Sequence, residues 1–497
     1  MRTAKAAVAA VLAAALLAAC SLEPAYQRPA APVPAAFPAG EAYRAPPGGE
    51  GATPAADIGW RNFFVDPRLQ RLVAAALENN RDLRVALLNV AQAGAQYRLQ
   101  RAALFPFLGG TANGSASRVP ADETTTGRSA VINTYTIGFT ASWVIDLFGR
   151  QRSLTNAAFD QYLASAQARK AAQLVLVSEV AVQYLAVLAL DEQLEVTRKT
   201  REAARESLRI AQLKFDTGSG SELDLRQAQT VVEQAQANEA AQVRARAQGE
   251  NALALLVGQA PAADLPAPIR LSEETLLADV PAGLPSDLLE RRPDILEAEE
   301  VLRAQHASIG AARAAFFPRI TLTGALGTSS ARLGGLFHAG SAAWNFSPSI
   351  TVPIFDAGTN LANLDLAQIQ KNVAVAQYEK AIQTAFREVA DGLAARGTYD
   401  DQLAAQQRLT DAQRRRLELA DLRYRSGVAS YLDVLTAQTD LYNAQLALVA
   451  ARLGRLGNLV SLYQSLGGGW LERTGEAPAP ADAPFNGPAD RSPAALR

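Results

Sequence analysis

The chain has 497 residues, with 48 basic and 49 acidic side chains and a net charge near −1. That balance excludes the basic footprint of a nucleic-acid binder, so no nucleic acid is expected as a partner. One cysteine and two histidines leave almost no material for disulfides or metal sites, and neither a metal nor another cofactor is expected. Residues are 49% hydrophobic but only 6% aromatic. Alanine carries much of the apolar share, which excludes a stack of membrane helices.

At the N-terminus, Arg2 and Lys5 precede a short apolar run, Ala6 to Ala19, closed by Leu17-Ala18-Ala19-Cys20. The run is too short to span a bilayer and fits a signal peptide over residues 1–19. A cysteine directly after small residues looks like a bacterial lipobox, in which the thiol is acylated and becomes the new N-terminus. A covalent lipid on Cys20 is therefore expected, since two or three acyl chains anchor stably at about 0.8 kcal/mol per buried methylene. Ser21 follows instead of an aspartate, so the familiar inner-membrane retention signal of enteric lipoproteins is absent. Residues 20–59 then read as a lipidated arm, rich in Pro, Ala and Gly. Regular structure begins near Trp60-Arg61-Asn62-Phe63-Phe64.

From there the sequence repeats itself. Leu213-Lys214-Phe215-Asp216-Thr217-Gly218-Ser219-Gly220-Ser221-Glu222-Leu223-Asp224 returns 209 residues later. The second copy is Leu422-Arg423-Tyr424-Arg425-Ser426-Gly427-Val428-Ala429-Ser430-Tyr431-Leu432-Asp433. Asp82 and Phe105-Pro106 match Asp294 and Phe317-Pro318, and Phe148-Gly149 lies roughly opposite Phe355-Asp356-Ala357-Gly358. A period this long marks a duplicated half, not a solenoid unit of about 20 to 50 residues. The expected division is a first repeat at 60–285, a second at 286–470 and a mobile tail at 471–497.

Each repeat reads as helix, two strands, a very long helix, a tight turn and a returning helix. The first has helix from about Arg68 to Leu104, then from Arg150 to Phe215 with no Pro or Gly. After Gly218 a further helix reaches about Val257. The second gives Asp287 to Phe316, Gly358 to Tyr424 and Ser430 to Leu466. A helix of about 66 residues is roughly 100 Å long and makes sense only packed lengthwise. Leu432, Leu435, Thr439, Tyr442, Leu446, Val449, Leu453, Leu456, Val460 and Tyr463 make a heptad seam. Leu174, Val177, Ala181, Tyr184 and Leu188 form one stripe of the earlier long helix, and Val180, Val187 and Leu194 another. Two stripes fit a cylinder of helices, while an antiparallel coiled-coil rod fits the helices equally well.

The strands separate these readings. Tyr135, Ile137, Phe139, Ala141, Trp143 and Ile145 alternate with Thr136, Gly138, Thr140, Ser142 and Asp146. Trp344, Phe346, Ile350, Val352 and Ile354 alternate in the same way with Asn345, Ser347, Ser349 and Thr351. Ile320, Leu322 and Leu326 mark a third strand, and the Gly-rich stretch 107–117 a weaker fourth. Lengths near ten residues with one aromatic-rich face match transmembrane strands, although a soluble half-buried sheet alternates identically. Four strands cannot close a barrel of about eight or more, and lipid tolerates no open edge. If they cross a membrane, several chains pool them, and three chains would give twelve strands. The loops at 118–133 and 329–343 would then be extracellular.

Longer matches carry a family resemblance. They are Tyr26-Gln27-Arg28-Pro29, Leu288-Leu289-Glu290-Arg291-Arg292-Pro293-Asp294-Ile295, Ile309-Gly310-Ala311-Ala312-Arg313-Ala314-Ala315-Phe316-Phe317-Pro318 and Leu466-Gly467-Gly468-Gly469-Trp470. On these the chain resembles the outer-membrane channel subunit of tripartite RND multidrug efflux systems, in the TolC family and its acylated OprM-like branch. The resemblance implies an α+β membrane fold: a homotrimer whose twelve-stranded barrel sits in outer-membrane lipid and continues as a periplasmic helical tunnel. It also implies two partners, a periplasmic adaptor protein and a proton-driven inner-membrane RND pump.

The hairpin turns would lie at the end remote from the strands, facing the inner membrane. Gly218, Ser219 and Gly220 in one tip, and Gly427, Val428 and Ala429 in the other, are expected to meet the adaptor. Gly suits the left-handed geometry of such turns. Just past the tips, Leu223 and Leu432 would supply apolar constrictions with Asp224 and Asp433 beside them. By resemblance, Leu432 matches the OprM-like leucine ring, Arg423 and Tyr424 match linking positions, and Asp433 matches a TolC-type gate aspartate. Thr436 and Thr439 stand where the OprM-like branch has an aspartate and an arginine. Each aspartate also sits in a helix first turn, where dipole pairing alone explains it.

No enzyme is expected. Phe215-Asp216-Thr217-Gly218-Ser219 has the form of an aspartic protease loop, which needs two such loops, but the second copy lacks the aspartate. His306 and His338 have no partner for a triad or metal. Three functions remain: a passive export duct coupled to a pump, a type I secretion duct with an ATP-driven partner, and a lipid-anchored structural coiled coil.

Overall fold

The computed structural model describes residues 22–43, 53–125, 127–260, 262, 264–271, 275–277 and 285–475. The expected signal peptide, Cys20 and the tail beyond Gly475 lie outside the described residues. The chain forms two compact units, one from Met1–Ala30, Val90–Ser165 and Ala298–Tyr378, the other from Ala31–Asn89, Ala166–Glu297 and Glu379–Arg497.

The first unit holds the sheet. Its strands are β1 (Phe107–Val119), β2 (Ala130–Ile145), β3 (Arg319–Ser330) and β4 (Ala342–Thr351), antiparallel in the order β1-β2-β3-β4. The strands reach further than the sequence alternation indicates, so the β1–β2 connection is shorter than 118–133. Directly paired residues share a face. One face carries Phe139, Leu326 and Trp344 in a row, then Ala141, Gly324 and Phe346, then Ile145, Ile320 and Ile350. Phe139 and Trp344 are 64% and 78% exposed. The opposite face carries Thr140, Ala325 and Asn345, and Ser142, Thr323 and Ser347. Gly138 faces Gly327 there, and a Cβ on Gly138 would come within 2.5 Å of the Leu326 carbonyl oxygen.

The second unit is helical. A single turn, Trp60–Phe63, leads to α1 (Pro67–Asn79), capped by Asp66, which accepts the Arg68 N–H at 2.8 Å. Proline at the first helical position costs nothing because its missing N–H has no partner to lose. Asp66 also accepts the buried Tyr184 hydroxyl at 2.6 Å. Desolvation and that carboxylate push the Tyr184 phenol far above its usual range. Trp60, Phe63, Phe64, Leu69, Leu72 and Tyr463 close the core, with Phe63 stacked on Tyr463 at 4.0 Å.

After the Trp60–Phe63 turn the α-helices run in order α1, α2 (Arg81–Ala102), α3 (Arg150–Asp216), α4 (Glu222–Val257), α5 (Pro285–Arg291), α6 (Pro293–Ala314), α7 (Thr359–Arg425) and α8 (Tyr431–Ser465). Two expected single helices, 68–104 and 287–316, are each broken in two. The first breaks at Asn80, whose backbone is extended (φ −62°, ψ 132°). Its amide donates to the Leu256 carbonyl at the end of α4, and its Oδ1 accepts the Leu83 N–H. The second breaks at Arg292, ahead of Pro293, which disfavours helical geometry in the residue before it.

The stripes of α3 are buried as expected, including Leu174, Val177, Val180, Ala181, Tyr184, Val187, Leu188 and Leu194. On α8 the seam is displaced at its N-terminal end. Tyr431, Val434, Leu435 and Gln438 are buried, whereas Leu432 and Thr439 are exposed. The start of the expected tail is tied down: Leu471 and Glu472 carbonyls accept the Trp60 and Arg61 N–H groups.

Candidate functional site

The hairpin tips in the helical unit are built alike. Gly218 and Gly427 have φ of 70° and 72°, the left-handed region that ends each long helix. In both, the residue after the glycine donates its N–H back across the turn, Ser219 to Lys214 (2.8 Å) and Val428 to Arg423 (3.0 Å). The first tip is tied more heavily. Thr217 Oγ1 and Ser426 Oγ donate alike to the Leu213 and Leu422 carbonyls, but in the first tip Ser219 Oγ and the Gly220 N–H also donate to the Lys214 carbonyl. A Cβ on Gly220 would stand 2.9 Å from that of Lys214, yet the second tip carries Ala429 at the matching place. Val428 at the second tip is exposed.

Below the tips, four helices share one buried cluster: Leu208 and Ala211 of α3, Ala228 and Val231 of α4, Leu417, Ala420 and Tyr424 of α7, and Tyr431, Val434 and Leu435 of α8. Tyr424 packs on Tyr431 with ring centroids 5.2 Å apart, and the Lys214 ammonium lies 4.0 Å above the Tyr424 ring. Burial pushes the Tyr431 phenol up. This cluster holds one face of α4 and α8 inward and leaves another face unpacked within the chain. Leu223 is 65% exposed and Leu432 56%; Asp433, Thr436 and Thr439 share the open face of α8 with Leu432.

The acids differ in role. Asp433 Oδ2 accepts both the backbone N–H and the hydroxyl of Ser430, a reciprocal cap on α8. At α4 the cap runs one way, from the Asp224 N–H to Ser221 Oγ at 3.1 Å, and the Asp224 carboxylate is only half-buried. Thr436 and Thr439 hydroxyls donate to the Leu432 and Leu435 carbonyls, which spends their polarity within the helix. Arg423 is exposed beside Tyr424. Asp440 on α8 pairs with Arg416 on α7 at 2.5 Å.

Of the expected site residues Tyr424 enters the cluster, whereas Leu223, Leu432 and Asp433 stay exposed and Asp224 half-buried on α4 and α8; Lys214, over the Tyr424 ring, was not among those expected. The signal was available, because Lys214 is the repeat mate of Arg423, which the resemblance had singled out. Among the described residues no three His, Cys, Asp or Glu side chains converge as a metal site.

A model of the family described as outer membrane efflux protein matches the chain twice, over residues 72–259 and 284–468. The chain is 50% identical to the solvent efflux pump outer membrane protein SrpC of Pseudomonas putida, over 90% of this chain and 95% of that one. It is 45% identical to the outer membrane protein OprJ of Pseudomonas aeruginosa, over 95% and 98%. Its fold superposes on the open-state outer membrane channel MtrE of Neisseria gonorrhoeae with a TM-score of 0.82 and 38% identity, covering 92% of this chain and all of that one. The chain belongs to the outer membrane efflux protein family and is an outer-membrane efflux channel, not an enzyme.

Proposed function

We propose that the chain is the passive exit duct of a tripartite efflux system, working as a homotrimer that receives small molecules from an inner-membrane RND pump through a periplasmic adaptor. The observation that carries this reading is the sheet. Its apolar face is exposed, its other face is small and polar, and among the described residues β1 and β4 each pair along one side only. An open edge beside a lipid-suited face leaves unsatisfied backbone groups, a cost removed by closure with neighbouring copies. Three chains supply twelve strands. Acylation at Cys20 would add an anchor to the same membrane. SrpC is named for solvent efflux, which favours small apolar cargo over a secreted protein.

Within this duct, Leu223 and Leu432 form the apolar constriction, Asp224 and Asp433 flank it, and Arg423, Tyr424, Thr436 and Thr439 shape its surroundings. The tips at 218–220 and 427–429 take the adaptor, with exposed Val428 as the apolar contact. The purified full-length protein should run as a heat-sensitive trimer in detergent and give single-channel steps in planar bilayers. Replacing Leu432 with Ala should raise conductance. A monomer that forms no pore even with Leu432 and Asp433 replaced would sink the duct. Unchanged drug susceptibility after gene deletion, in a strain without redundant ducts, would count against efflux by this route.

A further inference from the structure

The N-terminal segment Leu22–Arg28 lies in the strand-bearing unit and makes a set of contacts that the duct reading does not use. Its centre is Glu299 of α6, whose side chain is 3% exposed. Arg28 Nη2 meets Glu299 Oε2 at 2.5 Å and Arg28 Nε meets Oε1 at 3.1 Å. The Tyr26 hydroxyl and Arg303 Nη2 both donate to Oε1, at 3.1 and 3.0 Å. The Tyr26 ring is edge-on to His306 and lies under the Arg303 guanidinium, with centroid distances of 5.4 and 5.0 Å. A carboxylate so deeply buried is tolerable only with its charge matched and its lone pairs filled, and two of its three donor residues, Tyr26 and Arg28, come from this N-terminal strap.

The remaining contacts reach a second helix. Arg313 Nη1 at the end of α6 donates to the Leu22 carbonyl, and Asn156 Nδ2 of α3 donates to Glu23 Oε2. Gly310 of α6 marks the three-way meeting. A Cβ there would stand 2.6 Å from Ser153 Oγ of α3 and 2.9 Å from the Glu23 Cα. Only glycine lets strap, α6 and α3 approach so closely.

Those two helices have a special place in the chain. α3 begins just after β2 ends, and α6 ends just before β3 begins. Among the described residues the two repeats are joined in the sheet only by the β2–β3 pairing. At its base that seam pairs Ile145 with Ile320 and Trp143 with Leu322, whereas higher up Gly138 lies opposite Gly327 and Ala141 opposite Gly324. A one-residue slip at this single junction would move one repeat's apolar set to the other face, so holding the helices at its base helps to keep the register.

We propose that Leu22–Arg28 is a staple across the repeat seam, tying the helix that leaves β2 to the helix that enters β3, with Glu299 as its anchor. The staple acts by charge more than by apolar burial. Tyr378, Glu300, Arg303 and His306 each keep a buried polar atom without a protein partner around the same seat, so the seat is polar throughout. Its role does not depend on acylation of Cys20 or on the gate.

Cysteine pairs in the otherwise intact full-length protein, kept in outer membranes, test this. Thr140→Cys with Ala325→Cys reports the seam, and Asn113→Cys with Thr136→Cys reports the β1–β2 pairing inside one repeat; both are direct partners. Near the melting temperature, Arg28→Ala and Glu299→Gln should each lower the seam cross-linking yield by roughly tenfold, the scale of one lost charge-assisted hydrogen bond, and spare the β1–β2 pair. Arg28→Ala acts from a partly exposed side chain, so it stays informative if Glu299→Gln fails to fold. Combining the two should add no further loss. Unchanged seam yield, equal loss at both pairs, or additive losses in the double variant would each overturn the staple.

Discussion

The chain turns a helix corner at Asn80 and again at Arg292, positions related by its internal repeat, and holds the two corners with different chemistry. At Asn80 a neutral amide reaches the Leu256 carbonyl at 2.9 Å. At Arg292 a guanidinium reaches the repeat-equivalent Ser465 carbonyl at 3.1 Å, and also binds Asp294 at 2.5 and 2.9 Å and Glu388 at 2.7 Å. The acids are not what differs, because Asp82 and Glu179 stand at the matching places in the first repeat and are exposed. One substitution of the corner residue recruited two carboxylates that the other repeat leaves in water. The second corner also lines a cleft of about 480 Å³ with Asp391, Asn458, Ser461 and Gln464. Duplication kept the backbone solution, a side chain capping a neighbouring helix end, and let its electrostatics diverge.

The comparison breaks most visibly at Arg292. Arg292→Ala should cost about 2–3 kcal/mol, because the Ser465 carbonyl and two part-exposed acids lose their partner together. Asn80→Ala should cost only about 1–2 kcal/mol, the scale of an unsatisfied carbonyl. Thermal melts of both variants in one detergent check the order, and equal losses would mean the ion pairs at Arg292 contribute nothing. Next come the tips. Gly218→Ala and Gly427→Ala should each cost about 1 kcal/mol, since both need positive φ. Gly220→Ala should add strain against Lys214 that the second tip, with Ala429 already present, never meets.

The helix starts give a finer contrast. Asp433→Ala removes a reciprocal cap and should cost about 1 kcal/mol; Asp224→Ala should cost a few tenths. Both should raise single-channel conductance if the acids also guard the bore. A stability loss at Asp433 with unchanged conductance would leave it a cap alone. A last contrast concerns pH. Asp160, whose repeat mate is Ile369, has its pKa raised to about 7 by burial and by Glu300 and Glu23, against Arg303. The folded state therefore binds the proton more tightly than the unfolded chain. Stability should fall as pH rises from about 4 to about 7 and level off above, with solvent access muting the slope. Asp160→Asn should flatten it in pH-dependent melts.

Much of this was legible in the sequence because it is local. Alternation over 135–145 fixes the two faces of β2 whatever it pairs with, and an uninterrupted run from Arg150 fixes a long helix. The helix break was not legible at Asn80, where no proline interrupts the pattern; it lies where the end of α4 meets the chain, Gly258 just past that helix packing so closely that a Cβ there would meet the Asn79 carbonyl oxygen at 2.4 Å. Leu432 was equally ambiguous. Heptad spacing assigned it to the seam and resemblance to the constriction, and only the packing of Tyr431 and Leu435 into the four-helix cluster turned it outward.

The sequence by itself determined the duplication, the kinds of element and their order, because period and turn chemistry act over a few residues. Tertiary structure decided which of several equivalent apolar stripes is buried, which acid is a cap, and that the residues of the Tyr26-Gln27-Arg28 motif close on a glutamate more than 270 positions away. Those outcomes depend on which surfaces meet, and a burial or an ion pair has no energy until its partner is in place.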